Sequence, residues 1–187
     1  MKYDLHIHSR YSPCSNSSVK DILKKARKCG LNGIAITDHN EIKGAFEAEK
    51  LNKDKNFEVV IGSEIKTDNG EVLAYYIKEK IKPGPFKKVV EEIHKQGGIA
   101  AIAHPYAEAR TSIKRNIAFK VDAVESYNPR TLLIINNVRA EKLAEKLKAA
   151  KIAGSDAHFL FEIGKAYTVF DGDLRTAILK KKTSFEG

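Results

Sequence analysis

The chain lacks any apolar run approaching the ~20 residues that cross a bilayer. Its N-terminus enters a strand pattern at once and lacks the layout of a signal peptide. A cytoplasmic protein with no membrane partner is the expectation. Only two cysteines occur, Cys14 and Cys29. A structural disulfide is therefore not expected, since an intracellular chain of this size needs no staple. Cys29, near the end of a predicted helix, reads as a small buried apolar residue. One Gln and one Met stand against 26 lysines and abundant Glu, a composition that leans toward a thermophile's. No linker, low-complexity tract or internal repeat breaks the chain, so residues 1–187 read as a single domain.

What is present fits a folded soluble domain: 42% hydrophobic and 30% charged residues over 187 positions, enough for one real core. The net charge is +9. A basic protein attracts phosphates, nucleotides or nucleic acid. The lysines are spread over helix faces, however, which is the ordinary state of a solvated surface.

Strand and helix patterns alternate throughout, which argues for an α/β fold with a largely parallel sheet. Strands are expected at 3–8, 33–38, 58–66, 71–77, 98–103, 121–126, 151–155 and 165–170. Ser18-Val19-Lys20-Asp21 opens the first helix as a capping-box variant, and Gly30 ends it. Another helix covers about 41–52. Asp68-Asn69-Gly70 signals a hairpin between the third and fourth strands. Pro83 and Pro85 open a helix that Gly97-Gly98 stop. A further helix runs to Ala150, and a short one starts near Asp173. That gives seven or eight strands with short helices, and at this length a closed (β/α) barrel would have to be small and somewhat irregular.

Five of the six histidines, with several acids, stand where these strands stop: His6 and His8, Asp38 and His39, Glu64, His104, then Asp156 and His158. In a parallel α/β sheet or barrel the C-terminal strand ends share one face, where active sites form. His6 and His8, two apart on a strand, point to the same side, and Asp156 and His158 repeat the spacing. Imidazoles with carboxylates among them suit two or three divalent ions such as Zn, Mn or Fe. Such a set can generate hydroxide and clamp both oxygens of a displacement at phosphorus. A structural zinc would use fewer ligands and more cysteine. His94, on a helix face, reads as structural or surface. Asp4 reads as structural. Asp38 could orient a ligand or pass a proton, or simply cap the next helix.

Asp4-Leu5-His6-Ile7-His8-Ser9, Ala35-Ile36-Thr37-Asp38-His39, Gly62-Ser63-Glu64, Ala103-His104-Pro105 and Gly154-Ser155-Asp156-Ala157-His158 together resemble the motifs of the PHP (polymerase and histidinol phosphatase) superfamily. The resemblance covers about residues 2–170. It implies a distorted seven-stranded (β/α) barrel and a phosphoesterase using two or three metal ions. It also implies that His6, His8, Glu64 and Asp156 hold one ion, Glu64 and His104 a second, and His39 and His158 a third. The family often adds a ligand to the third ion from the loop after the first motif. Cys14 falls near that position and, as a thiolate, can bind zinc. Many members also carry a histidine on the strand after the Glu motif. Leu73 is the expected equivalent here and cannot bind, while Glu71 should point to the other face.

On the substrate side, Arg10, Arg110 and Arg130 follow motif or strand ends and could clamp a phosphate with their planar donor forks. Tyr11, Tyr106 and Tyr127 lie in the same loops and could stack on a base or simply pack. The expected function is hydrolysis of a phosphomonoester, a nucleotide or a short 5′-terminal nucleic-acid fragment. The alternative is a non-catalytic or weakly catalytic RNA-binding or assembly subunit with a PHP-like barrel. Histidinol phosphate would be one substrate case of the first reading. A small barrel with recessed ligands makes a pocket, and a pocket takes chain ends more readily than a long duplex.

Overall fold

A computed structural model describes residues 1–107, 113 and 120–187. Arg110 lies outside the described residues. The described strands are β1 (Lys2–Ile7), β2 (Gly33–Ile36), β3 (Glu58–Thr67), β4 (Gly70–Tyr75), β5 (Ile99–Ile102), β6 (Ala123–Tyr127), β7 (Ala150–Ala153), β8 (Tyr167–Phe170) and β9 (Thr183–Glu186). The helices are α1 (Val19–Lys28), α2 (Lys43–Leu51), α3 (Phe86–Lys95), α4 (Ile134–Leu147) and α5 (Leu174–Leu179). A 3-10 turn at Leu160–Glu162 and the strand β9 were not expected from the sequence.

The local signals act as their chemistry dictates. Ser18 caps α1 by accepting from the Asp21 N–H at 3.2 Å, and Gly30 leaves the helix at φ 73°. Val19, Ile22, Leu23 and Ala26 bury one stripe of α1 at helical spacing. The Asp68-Asn69 turn joins β3 to β4, with Gly70 at φ 86° where a side chain would be strained. Asp173 caps α5 through the Thr176 N–H at 2.7 Å. Cys29 corrects its expectation: it is exposed at the C-cap of α1, and its Sγ approaches the Ile163 carbonyl at 3.4 Å.

The sheet runs β7-β6-β5-β4-β3-β2-β1-β8-β9. It is mixed, not largely parallel: β1/β2, β2/β3, β5/β6 and β6/β7 are parallel, while β3/β4, β4/β5, β1/β8 and β8/β9 are antiparallel. The short hairpin turn forces β4 to reverse, and that reversal later decides which of its residues reach the site. The two sheet ends curl together. The Ala153 N–H donates to Thr168 Oγ1, Thr183 Oγ1 donates to the Lys151 carbonyl, and Ile7 bridges Ala157. The result is a nearly closed, distorted α/β barrel.

Its interior holds Tyr3, Leu5, Val60, Leu73, Tyr75, Ile99, Ile152 and several alanines, with Leu174, Ala177 and Ile178 of α5 packed among them. Two outer layers pack helices on the sheet: α1 and α2 against Ile7, Ile34 and Ile36, and α3 and α4 against Ile65, Val72, Ile102 and Val124. Leu5 lies in the interior and Ile7 in an outer layer, though they are two apart. The register of β1 against β2 shifts between Asp4 and Ile7, and this bulge re-aims the strand end that carries His6 and His8.

Asp4 fixes this corner. Its carboxylate accepts from the N–H groups of Ser155 (2.8 Å), Gly164 (2.9 Å) and His6 (3.3 Å) and from Ser155 Oγ (2.5 Å). Burial nonetheless pushes its pKa up to about 6. Asp4→Asn should destabilise the fold by about 1–3 kcal/mol, because an amide NH2 would face donors and leave one unsatisfied. Urea unfolding checks this, and an unchanged midpoint would refute it.

Candidate metal centre

The barrel topology gathers residues from positions 6 to 158 at one rim. His6 and His8 come from the end of β1, His39 follows β2, Glu64 lies on β3, His104 follows β5, and Asp156 and His158 follow β7. Glu64 is the hub. Its Oε1 lies 2.9 Å from His104 Nε2, and its Oε2 lies 2.9 Å from His39 Nδ1 and 3.5 Å from both His6 Nε2 and His8 Nε2. Asp156 Oδ1 lies 3.2 Å from His8 Nε2, 3.5 Å from His6 Nε2 and 3.5 Å from His158 Nδ1. The structure thus brings all seven of these expected residues together.

Gly154 permits a close approach to His6. A Cβ there would fall 2.5 Å from the His6 backbone nitrogen and Cβ. His104 and Asp156 take positive φ values, 20° and 51°, which non-glycine residues rarely hold without compensation elsewhere.

Two residues correct or extend the sequence reading. Glu71 does not point away from the site. It is buried, its carboxylate oxygens lie 3.9 Å from His39 Nδ1 and from His104 Nε2, and it forms a possible ligand group with His39 and Glu64. Leu73 instead fills the barrel interior. Residues 71 and 73 share a side by the period-two rule, and β4 runs antiparallel, so its start and not its middle reaches the rim. Glu125 was missed as a site residue. It sits on β6 with Oε1 2.9 Å from His6 Nδ1, and its Oε2 accepts from the His104 N–H at 2.8 Å and from Asn128 Nδ2 at 3.1 Å. The signal was available, because Glu125 is an acid on a strand next to a turn of Asn and Pro. It orients His6 so that Nε2 faces the cluster.

Asp38 is buried and accepts from the Ser9 N–H (2.7 Å), Ser9 Oγ (2.6 Å) and Ser12 Oγ (2.9 Å). Ser12 Oγ in turn lies 3.3 Å from His8 Nδ1 and accepts from the His39 N–H at 2.9 Å. Asp38 therefore orders the loop behind two imidazoles. Cys14 sits in contact with His158 and His39; burial pushes its thiol up, but these contacts prevail and bring it down to about 6. His94 is paired with Asp122 at 2.7 Å, away from the rim.

The cluster opens on a cavity of about 410 Å³ lined by His39, Glu64, Glu71, His104, Arg130 and His158, among others. A larger groove of about 970 Å³ between Asn32 and Lys53–Val59 carries none of the clustered imidazoles, so size does not locate the chemistry here. Arg130 reaches the cavity, its Nη1 held by Glu162 Oε1 at 2.6 Å and its Nε 4.0 Å from Asp156 Oδ2. Arg10 does not. Its Nη2 forks onto both Glu47 oxygens at 2.9 and 3.0 Å, outside the cavity lining. Tyr127 stacks on Phe185 and so packs.

The residues fit divalent metal ions. Among the described residues, His6 Nε2, Glu71 Oε2 and His104 Nδ1 are buried without hydrogen-bond partners. Buried polar atoms seldom go unpaired, and three such atoms of ligand type around one cluster call for a cation. The charges agree. Burial alone would pull the imidazoles down, yet the surrounding carboxylates hold His6 well above its ordinary range and His104 at about 9, and Cys14 and Glu64 hold His39 at about 10. Burial keeps His8 down near 4. Burial, then the Glu64 charge, pushes Glu71 up to about 7. Protons thus stand where a cation would.

A raised imidazole pKa means that the proton is bound at pH 7 and must leave when a metal enters. Metal affinity should therefore rise with pH through the range 7 to 9. Binding at pH 7 should release about two or more protons. Calorimetric titration in buffers of different ionisation heat measures this, and the same heat in every buffer would overturn it.

Comparison with known proteins agrees with this geometry. The Methanocaldococcus jannaschii uncharacterized protein MJ1587 is 39% identical over 160 residues, 79% of this chain and 94% of its own length. A two-domain Bacteroides vulgatus protein containing a predicted PHP-like metal-dependent phosphoesterase superposes with a TM-score of 0.81 at 16% identity, over 100% of this chain and 64% of that one. A lesion-specific endonuclease from Pyrococcus furiosus superposes with a TM-score of 0.72 at 16% identity, over 96% of this chain and 56% of that one. Described helices include none long and apolar enough to cross a membrane. The PHP domain family matches residues 4–163, and the chain belongs to that family.

Proposed function

We propose that this chain is a metal-dependent phosphoesterase acting on a phosphomonoester, a nucleotide or a short 5′-terminal nucleic-acid fragment. The observation that carries the reading is the meeting of five imidazoles and the carboxylates of Glu64, Glu71 and Asp156 at one rim, with unpaired ligand atoms among them, where His39, His104 and His158 line an open cavity and His6 and His8 lie buried behind it. His6, His8, Glu64 and Asp156 would hold one ion, and His104 with Glu64 and Glu71 a second. His39 and His158 with Cys14 would hold a third. When bound, divalent ions supply a Lewis acid for a phosphoryl oxygen and lower the pKa of water. Glu71 adds a hard oxygen donor, the ligand type that suits Mn²⁺ as well as Zn²⁺. The ligands span His6 to His158, so residues 1–187 are proposed to act as one catalytic unit.

The chain's own residues do the positioning. Glu125 and Ser12 set the ring orientation of His6 and His8, and the Asp156 carbonyl sets that of His158 at 2.8 Å from Nδ1. Arg130 stands on the cavity wall as the cation for a terminal phosphate. The likeness to an endonuclease supports a nucleic-acid or nucleotide substrate.

A panel of phosphate esters assayed with and without chelator tests the reading. Activity should vanish with chelator and return with Mn²⁺ or Zn²⁺. Arg130→Ala should raise KM about tenfold or more, matching the loss of a charge-assisted hydrogen bond of ~1.5–3 kcal/mol. Activity indifferent to chelator would overturn the reading, and an unchanged KM would remove Arg130 from the clamp.

A further inference from the structure

We infer that Phe159 and Phe161 form a platform on which the base of a nucleotide substrate stacks beside the metal centre. This deepens the phosphoesterase reading and rests on it. The two rings are stacked on each other, with centroids 5.7 Å apart and planes 7° apart. They are nevertheless 53% and 65% exposed, unusual for phenylalanine. The Lys165 ammonium lies 5.0 Å from the Phe161 centroid.

The pair is bound rigidly to the site. Phe159 follows His158 directly in sequence. Glu162 Oε2 accepts from the N–H groups of His158 at 2.8 Å and Phe159 at 3.0 Å, while its Oε1 holds Arg130 at 2.6 Å. One carboxylate therefore fixes the ligand loop, the aromatic turn and the cavity arginine in a common geometry. A phosphate held near Arg130 would leave the rest of its ester to extend over this turn. A nucleobase is the group whose flat π-face matches a stacked aromatic pair, and such stacking tolerates any base. The cation on Phe161 and the net charge of +9 favour a polyanionic substrate carrying such bases. Specificity would then lie in the presence of a base and not in its identity.

The chain contains no tryptophan, so Phe159→Trp installs a single reporter on the platform. Adenosine 5′-monophosphate and a short 5′-phosphorylated oligonucleotide should quench its emission, and ribose 5-phosphate should not. In kinetics, the double variant Phe159→Ala/Phe161→Ala should raise KM for adenosine 5′-monophosphate roughly tenfold. It should leave KM for ribose 5-phosphate unchanged, and Phe159→Tyr should retain the wild-type ratio. Equal quenching by both ligands, or none by either, overturns the proposal even where ester hydrolysis is normal. If wild type hydrolyses no ester, the phosphoesterase reading fails separately and the fluorescence titration still decides base stacking. If the double variant instead turns an oligomer into a monomer with nucleotide binding intact, the pair is a protein interface and the proposal falls.

Discussion

Glu64→Gln should lower phosphoesterase turnover by at least ~100-fold while the barrel stays folded. The side chain is nearly isosteric, so the change removes a charge and little volume. That charge faces four imidazoles at 2.9 to 3.5 Å, and both oxygens are engaged. Loss of a hydrogen-bond partner behind a ligand typically costs 10–100-fold in metal affinity or activity. A residue that itself faces two proposed ions should cost at least the upper end of that range. Without the carboxylate, His104 and His39 also lose a major cause of their raised pKa values. Metal content per chain, measured by elemental analysis, should fall in parallel. Unchanged turnover with unchanged metal content would refute Glu64 as the hub.

Removing metal should lower the melting temperature by about 8–16 °C. Binding to the folded state alone contributes ~4.1 kcal/mol at a free concentration a thousand times Kd. In a domain of 150–250 residues each kcal/mol shifts the midpoint by about 2–4 °C. The folded chain should be the only state with affinity, because the ligands come from six strands or their ends and meet only in the barrel. Without a cation, the buried atoms His6 Nε2, Glu71 Oε2 and His104 Nδ1 stay unpaired at a cost to stability. The shift should shrink markedly in Glu64→Gln. Differential scanning calorimetry with chelator and with Mn²⁺ checks this, and coincident transitions would rule out a site of useful affinity.

The candidate ligands were legible because each obeys a local rule. An apolar run followed by His or Asp is visible in one dimension, and the parity of His6 and His8 follows from strand geometry alone. The helix caps at Ser18 and Asp173, the turn before Gly70 and the stop at Gly97 are likewise short-range events, decided by a few dihedrals and one or two hydrogen bonds. Even so, Glu71 was misplaced by a parity slip that period two would have corrected.

What only the tertiary structure decided is everything that depends on which distant segments become neighbours. The place of β4 between β3 and β5 brings Glu71 to the rim and leaves Leu73 in the interior. The register shift in β1 re-aims His6 and His8. Glu125 gains its role only because β6 lies within 2.9 Å of an imidazole 119 positions earlier. Arg10 and Arg130 look equivalent as loop arginines, yet Glu47 holds the first outside the cavity while Glu162 holds the second on its wall. Charge and residue type are properties of the chain, but the partner that claims a long flexible guanidinium is settled by packing across distant segments.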